Sequence, residues 1–210
     1  MFKQYRDIEA REFFCVGGDC SQGGSDFNVS QFYSATKNDV PLIYRARGVA
    51  STMTAAIQPV LEKLAERTGI KPVVGLERNM GGASEMEVLK TLNRLQKYML
   101  FLMPNIGSDI LGGMDSDKLG VVTSGLTRPI IVGGLKSVVD VNGIGVYDRD
   151  TIDEMSIFVE NSQGKPEAAK GGHDDTVISL AIAKFISLHS QPVTLRDVSN
   201  PYNPAKWNVG

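Results

Sequence analysis

Four carboxylates in three separated segments carry the chemistry this chain can do. The segments are FFCVGGDCSQGGSDF at 13–27, PVVGLERN at 72–79 and GGHDDTVISLAIAKF at 171–185. Asp19 and Glu77 close predicted strands, and Asp174 and Asp175 open a predicted helix. Each has a structural explanation alone. A turn aspartate caps backbone N–H groups, Glu77 can pair with Arg78, and acids in a first helical turn meet a favourable dipole. Brought together, they form a hard oxygen site suited to Mg²⁺ or Mn²⁺. Two such ions about 4 Å apart bind a phosphodiester, one activating water and the other stabilising the leaving 3′ oxygen. Without cations, clustered carboxylates raise one another's pKa values. Adjacent Asp174 and Asp175, about 100° apart around a helix axis, can hold two cations side by side. His173, just before them, can ligate metal, accept a proton or cap the helix. The chain has only two histidines, and no zinc-ligand spacing exists.

The elements that must position these groups follow from periodicity. EFFCVGGD at 12–19, FNVSQFYS at 27–34 and PLIYRARG from 41 read as strands joined by the turns CSQGGS and KNDVP, an antiparallel meander. Met53, Ile57, Val60, Leu61, Leu64 and Ala65 mark a helix over 51–68. Ser51 or Thr52 is its expected cap and Gly69 its stop; Pro59 predicts a kink or a later start. A strand at 73–77 leads through RNMGGAS to a helix from 85 to 98, opened by a Ser84–Glu87 capping box, with Met86, Leu89, Leu92 and Leu95 on its apolar side. YMLFLM at 98–103 reads as a helix extension or a strand. PNIGSDILGGMDSDKLG is a Gly- and Asp-rich loop or hairpin. A helix over 127–140 is capped by Thr127, with Pro129 in its first turn. IGVYD is a short strand, Thr151 and Glu154 box a helix over 152–159, GKPEAAKGG is a loop, and 175–189 is the last helix. The tail from 190 reads as irregular. The sum is an α/β chain with a mixed sheet and helices on both faces.

Size and composition suit one domain over 1–210, with its core at about 12–189. Hydrophobic residues make up 42% and charged residues 22%, as in soluble globular proteins. No apolar run reaches the roughly 18 residues of a membrane span. Cys15 and Cys20 lie near one strand with side chains on opposite faces, which disfavours a disulfide and indicates a reducing compartment. A formal net charge of −2 gives no global nucleic-acid signal, although local basic residues are present, Arg45, Arg47, Arg78, Arg128 and Lys136 among them. The Gly-rich loop after Asp19 lacks the Gly-Lys-Ser/Thr of a P-loop and is not G-x-G-x-x-G.

Four motifs in order give the chain a resemblance. They are GGDCSQGGSDFNVS, GLERNMGG, TSGLTRP at 123–129 and GGHDDTVISLAIA. Their order and spacing resemble the C-terminal nuclease domain of the large terminase subunit of tailed double-stranded DNA bacteriophages, over residues 12–189. The resemblance implies an RNase H-like fold. It also implies a metal-dependent endonuclease that cuts concatemeric viral DNA during genome packaging in the host cell cytoplasm. By that resemblance Asp19, Glu77 and Asp175 are the principal ligands of Mg²⁺ or Mn²⁺, as two ions, and Asp174 is an additional ligand or positions an ion. Asp26 orders the first loop, Asn79 and His173 support the ligands, and Arg78, Arg128 and Lys136 are candidates for phosphate contact. Double-stranded DNA, a packaging ATPase domain, the portal and the small terminase subunit are the implied partners. No Walker A sequence is present, so an isolated nuclease domain or a separate fragment is expected. Two alternatives stand beside this. One is another RNase H-like nuclease, of Holliday-junction resolvase or transposase type, which TSGLTRP fits less well. The other is a non-catalytic DNA-binding or portal-docking module whose carboxylates are caps.

Overall fold

The computed structural model describes residues 1–104, 118–161, 166–169 and 171–195. Its elements run β1 (Phe2–Gln4), β2 (Phe14–Asp19), β3 (Gln22–Ser34), β4 (Asp39–Val49), α1 (Ala50–Thr68), β5 (Ile70–Lys71), β6 (Val73–Leu76) and α2 (Gly82–Leu92). They continue with β7 (Met99–Leu100), α3 (Thr127–Val139), β8 (Gly145–Val146), α4 (Arg149–Ser156), β9 (Phe158–Glu160), β10 (Pro166–Ala168), α5 (Asp175–Leu188) and β11 (Val193–Thr194).

The expected meander is present: β2, β3 and β4 pair antiparallel. β6 joins β2 in parallel and β7 joins β6 in parallel, giving the order β1-β4-β3-β2-β6-β7 with β8 against β4. Strand alternation divides the core in two. Phe14, Val16, Phe32, Val74 and Leu76 meet Met53, Ile57 and Leu61 of α1 and Met86 and Leu89 of α2. Cys15, Tyr33 and Val73 meet α5 and Ile131 and Leu135 of α3. Both cysteines are free and buried. Helices therefore cover both faces, and α5, apolar on nearly every side, is buried from Thr176 to Ile186. No helix among the described residues is long and apolar enough to cross a membrane.

Several local expectations are corrected. β3 begins at Gln22 and absorbs most of the predicted turn through a register shift between Gln22 and Phe27. α1 is continuous through Pro59, which lies on the exposed side, so water can satisfy the carbonyl that proline leaves unpaired. Its N-cap is Val49, with no side-chain cap; Thr52 instead donates back to the Val49 carbonyl at 2.7 Å. α2 starts at Gly82, before the proposed capping box, and stops at Leu92. Tyr98 folds back to donate to the Leu89 carbonyl at 2.6 Å, and Asn93 donates to the Tyr98 carbonyl at 2.7 Å, so the chain must reverse there. Leu92 and Leu95 are consequently exposed.

YMLFLM contributes the strand β7. Leu102 and Leu119 then bridge antiparallel, while 105–117, the body of the predicted excursion, lies outside the described residues. Thr127 is the first residue of α3, after an N-cap at Leu126, and its hydroxyl donates to the Val122 carbonyl at 2.6 Å. Asp148 caps α4 by accepting from the Thr151 N–H at 2.9 Å, so Thr151 is freed from the proposed box. The helix expected over 152–159 ends at Ser156 and its last residues enter β9; β10, paired antiparallel with β9, falls in the expected loop GKPEAAKGG, and β11 pairs with β5 in the tail expected to be irregular.

Candidate metal centre

Sheet register brings the first two carboxylates together. Gly17 pairs with Gly75 and Gly18 with Leu76 across the parallel β2–β6 pair, and the Glu77 N–H donates to the Gly18 carbonyl at 2.7 Å. Asp19 and Glu77 are thus neighbours at the same end of adjacent strands, on the α5 face. Gly17 lets α5 lie directly on that face. A Cβ there would sit 2.2 Å from the Ser179 carbonyl and 2.3 Å from the Ala183 nitrogen. One helical turn before Ser179 is Asp175, and two strand residues beyond Gly17 is Asp19, distances of about 6 Å and 6.6 Å along their elements. Close approach at Gly17 therefore delivers Asp175 to Asp19. Both line a cleft of about 210 Å³ with Cys20, Asp26, Phe27 and Met80. Gly82 fixes the turn after Glu77, because a Cβ there would be 1.8 Å from the Glu77 carbonyl oxygen.

The electrostatics are those of crowded acids. Burial pushes the Asp19 carboxyl well above its ordinary range, and Glu77, Asp175 and Asp174 push it further in the same direction. Asp175 is also raised, by burial and by Glu154 and Asp174, against the lowering effect of the Phe27 N–H and His173. The surrounding bonds orient each group. Glu77 Oε1 accepts from Asn79 Nδ2 at 3.1 Å and from the Thr123 hydroxyl, and Asn79 Nδ2 reaches Thr123 Oγ1 at 2.9 Å. Asp175 Oδ2 accepts from the Phe27 N–H at 3.3 Å. Asp174 is turned away to Arg128, whose Nη2 donates to its Oδ2 at 2.5 Å while Nε donates to the Pro166 carbonyl at 3.0 Å. Glu154 caps α5 from outside, accepting from the Thr176 N–H at 2.9 Å and from its hydroxyl at 2.5 Å.

The other predicted residues divide. Asp26 lines the cleft, and exposed His173 meets the Phe27 ring edge-on at 6.5 Å between centroids. Arg78 is tied to the fold through Nη1, which donates to the Leu119 carbonyl at 2.6 Å. Lys136 lies in the last turn of α3, paired with Asp140, and does not line the cleft. Sequence reasoning missed Thr123 and Glu154 as positioning groups. Thr123 lies inside the quoted TSGLTRP segment, while Glu154 carried only the signature of a local cap. Among the described residues, no three His, Cys, Asp or Glu side chains stand close enough, as placed, to hold an ion. The donor set nevertheless suits a hard divalent cation: oxygen ligands only, two of them with raised pKa values that a positive charge would relieve.

The architecture has known counterparts. The large terminase nuclease of thermophilic phage G20c with bound cobalt superposes with a TM-score of 0.57 at 20% identity, covering 87% of this chain and 84% of that one. The chain has the fold of a large terminase nuclease. The Thermus phage P74-26 large terminase nuclease domain gives 0.56 at 19% identity, over 86% of this chain and 81% of its own. The human cytomegalovirus terminase nuclease domain, manganese-soaked and inhibitor-bound, gives 0.51 at 10% identity, over 83% of both chains. The mixed sheet between helices is accordingly RNase H-like, as expected from the terminase resemblance. No protein-family model and no curated protein sequence matches the chain.

Proposed function

We propose that this chain, as one nuclease domain over 1–210, is a divalent-metal-dependent endonuclease. It cuts concatemeric double-stranded viral DNA during genome packaging in the host cytoplasm. Its working partners would be a packaging ATPase domain, the portal and the small terminase subunit. The observation that carries the reading is the adjacency of Asp19 and Glu77 on parallel strands with Asp175 in the same cleft. Terminase nuclease structures with bound cobalt or magnesium share the fold, which supports a divalent cofactor.

Asp19, Glu77 and Asp175 would hold Mg²⁺ or Mn²⁺, as two ions, with Asp174 an additional ligand once it leaves Arg128. The bound metal supplies Lewis-acid chemistry, activating water and neutralising charge on the phosphate. The protein's share is orientation. Asn79 and Thr123 fix the rotamer of Glu77, the Phe27 N–H fixes Asp175, and Glu154 anchors the end of α5 that carries it. Such outer partners are worth about 10–100-fold in metal affinity or activity. Supercoiled plasmid incubated with Mn²⁺, Mg²⁺ or EDTA tests the proposal. We expect nicking with metal, none in EDTA, and a loss of about a thousandfold or more in Asp19→Asn. Cleavage surviving Asp19→Asn unchanged would show that the site is misassigned.

A further inference from the structure

The carboxylate cleft repels DNA until cations arrive, so a basic group beside it is needed to receive the backbone. Arg78 donates to the Leu119 carbonyl, Arg128 is paired with Asp174, and Lys136, in the last turn of α3, is paired with Asp140. Arg47 differs. It is exposed on β4, directly opposite Phe27 of β3 in the antiparallel register. Paired residues point to one face, here the face that carries Asp175. The Arg47 guanidinium lies 5.0 Å from the centroid of the Phe27 ring. Among the described residues it makes no ion pair. Arg45 also lies over this ring, at 4.1 Å, yet it is held by Asp150 at 2.9 Å and Glu154 at 3.2 Å. Phe27 itself lines the cleft with Asp19 and Asp175, and its N–H binds Asp175.

We infer that Arg47, which reaches over the ring of the cleft-lining Phe27 from the neighbouring strand, is the phosphate-holding group beside the cleft and grips the DNA backbone next to the bond to be cut. A guanidinium that packs flat on an aromatic ring keeps its N–H edge free, and that planar edge matches two phosphate oxygens. Phe27 thereby couples the two tasks, since one residue orients both the ligand Asp175 and the cation Arg47. A second consequence concerns charge. Over this ring, Arg45 is neutralised in place by Asp150 and Glu154, while Arg47 keeps its charge to offer. The inference rests on the nuclease reading for the identity of the bond cut, and on geometry alone for DNA contact.

The test is equilibrium binding of a short fluorescent duplex DNA to the full chain across a salt series. All proteins carry Asp19→Asn so that the DNA stays intact. Adding Arg47→Ala should weaken binding about tenfold and reduce the slope of log K against log salt by about 0.9. Arg47→Lys should keep the slope yet weaken binding, because the charge remains and the planar fork is lost. Phe27→Leu should weaken binding a few-fold with no change in slope. Thermal melts confirm that each variant is folded. An unchanged affinity and slope in folded Arg47→Ala would overturn the inference, as would absence of DNA binding by the Asp19→Asn parent. Plasmid nicking by the chain with Asp19 intact is scored separately. Loss of that activity with the Arg47 salt effect preserved would sink the nuclease reading alone.

Discussion

Two acidic clusters sit at opposite ends of β2, and they are built on opposite principles. At its start, Glu12 and Asp39 converge on Arg6. The guanidinium donates to Glu12 at 2.9 and 2.7 Å and to Asp39 at 2.6 Å through both Nε and Nη2. Glu12 also accepts from the Glu9 N–H at 2.6 Å and the Ser34 hydroxyl at 2.8 Å. At the far end, Asp19 and Glu77 are pressed together with Asp175 nearby, and the Arg128 guanidinium is drawn to Asp174. Burial raises the pKa of both Glu12 and Asp19. Arg6 and its companions reverse this for Glu12, whereas the neighbours of Asp19 add to it. A buried acid with its own cation is architecture. A buried acid that lacks one is destabilised as an anion, and a cation from solution would relieve it, as the proposed function requires.

The largest test of this contrast is mutational. Arg6→Ala strands two carboxylates, Glu12 being only 1% exposed, and should cost about 3 kcal/mol of stability. Asp19→Asn removes a repelled charge and should leave metal-free stability unchanged or higher, even as it abolishes cleavage. Urea unfolding midpoints in EDTA decide it. Equal losses in both variants would mean that the two clusters are alike.

Metal gives the next effect. A cation that binds only the folded cluster stabilises by about 2.7 kcal/mol at a hundredfold excess over its Kd. For a chain of this size, that is roughly 5–10 °C in melting temperature. Millimolar Mn²⁺ should produce such a shift in the parent chain and little in Asp19→Asn, whereas the Arg6→Ala chain, less stable at the outset, should gain as much as the parent. No shift in the parent would remove the distinction between the clusters.

The comparison also explains what was legible in the sequence. The acids at the far end of β2 were visible because each stands at the end of an element, and element ends are marked by local signals: alternation in FFCVGGD, an apolar run before Glu77, a helical pattern after Asp175. The meander and the two-faced sheet followed from the same periodicities. Partnerships set by tertiary approach were not legible. Arg6 and Asp39 are distant in sequence, and nothing local in β1 or the segment after it announces their bond. Glu154 and Thr151 fit a capping box by spacing, but Asp148 stood nearer the turn and took the cap. Glu154 then became available to α5. Arg128 and Asp174 are paired across α3 and α5 for the same reason: only the packing of those helices makes them neighbours.

Acid should separate the clusters by a smaller amount. Burial alone would raise the Glu12 pKa, but Arg6, the Glu9 N–H and Ser34 outweigh it, and the net direction is downward from 4.5. A carboxylate with a depressed folded pKa contributes stability that is present above its unfolded pKa. That contribution is lost as pH falls through the folded value. Asp148 behaves likewise, with Tyr5, Lys3 and Thr151 overcoming its burial. The parent chain should therefore lose stability on acidification below about pH 4.5, through protonation of groups that hold the sheet's first edge. Arg6→Ala removes one source of the depression, so its melting temperature should fall less steeply over the same range, from a lower starting point. Melting curves from pH 3 to 7 in EDTA measure both slopes. Parallel curves would show that Arg6 does not set the ionisation of Glu12, and the claim that this cluster carries its own counter-ion would fail with it.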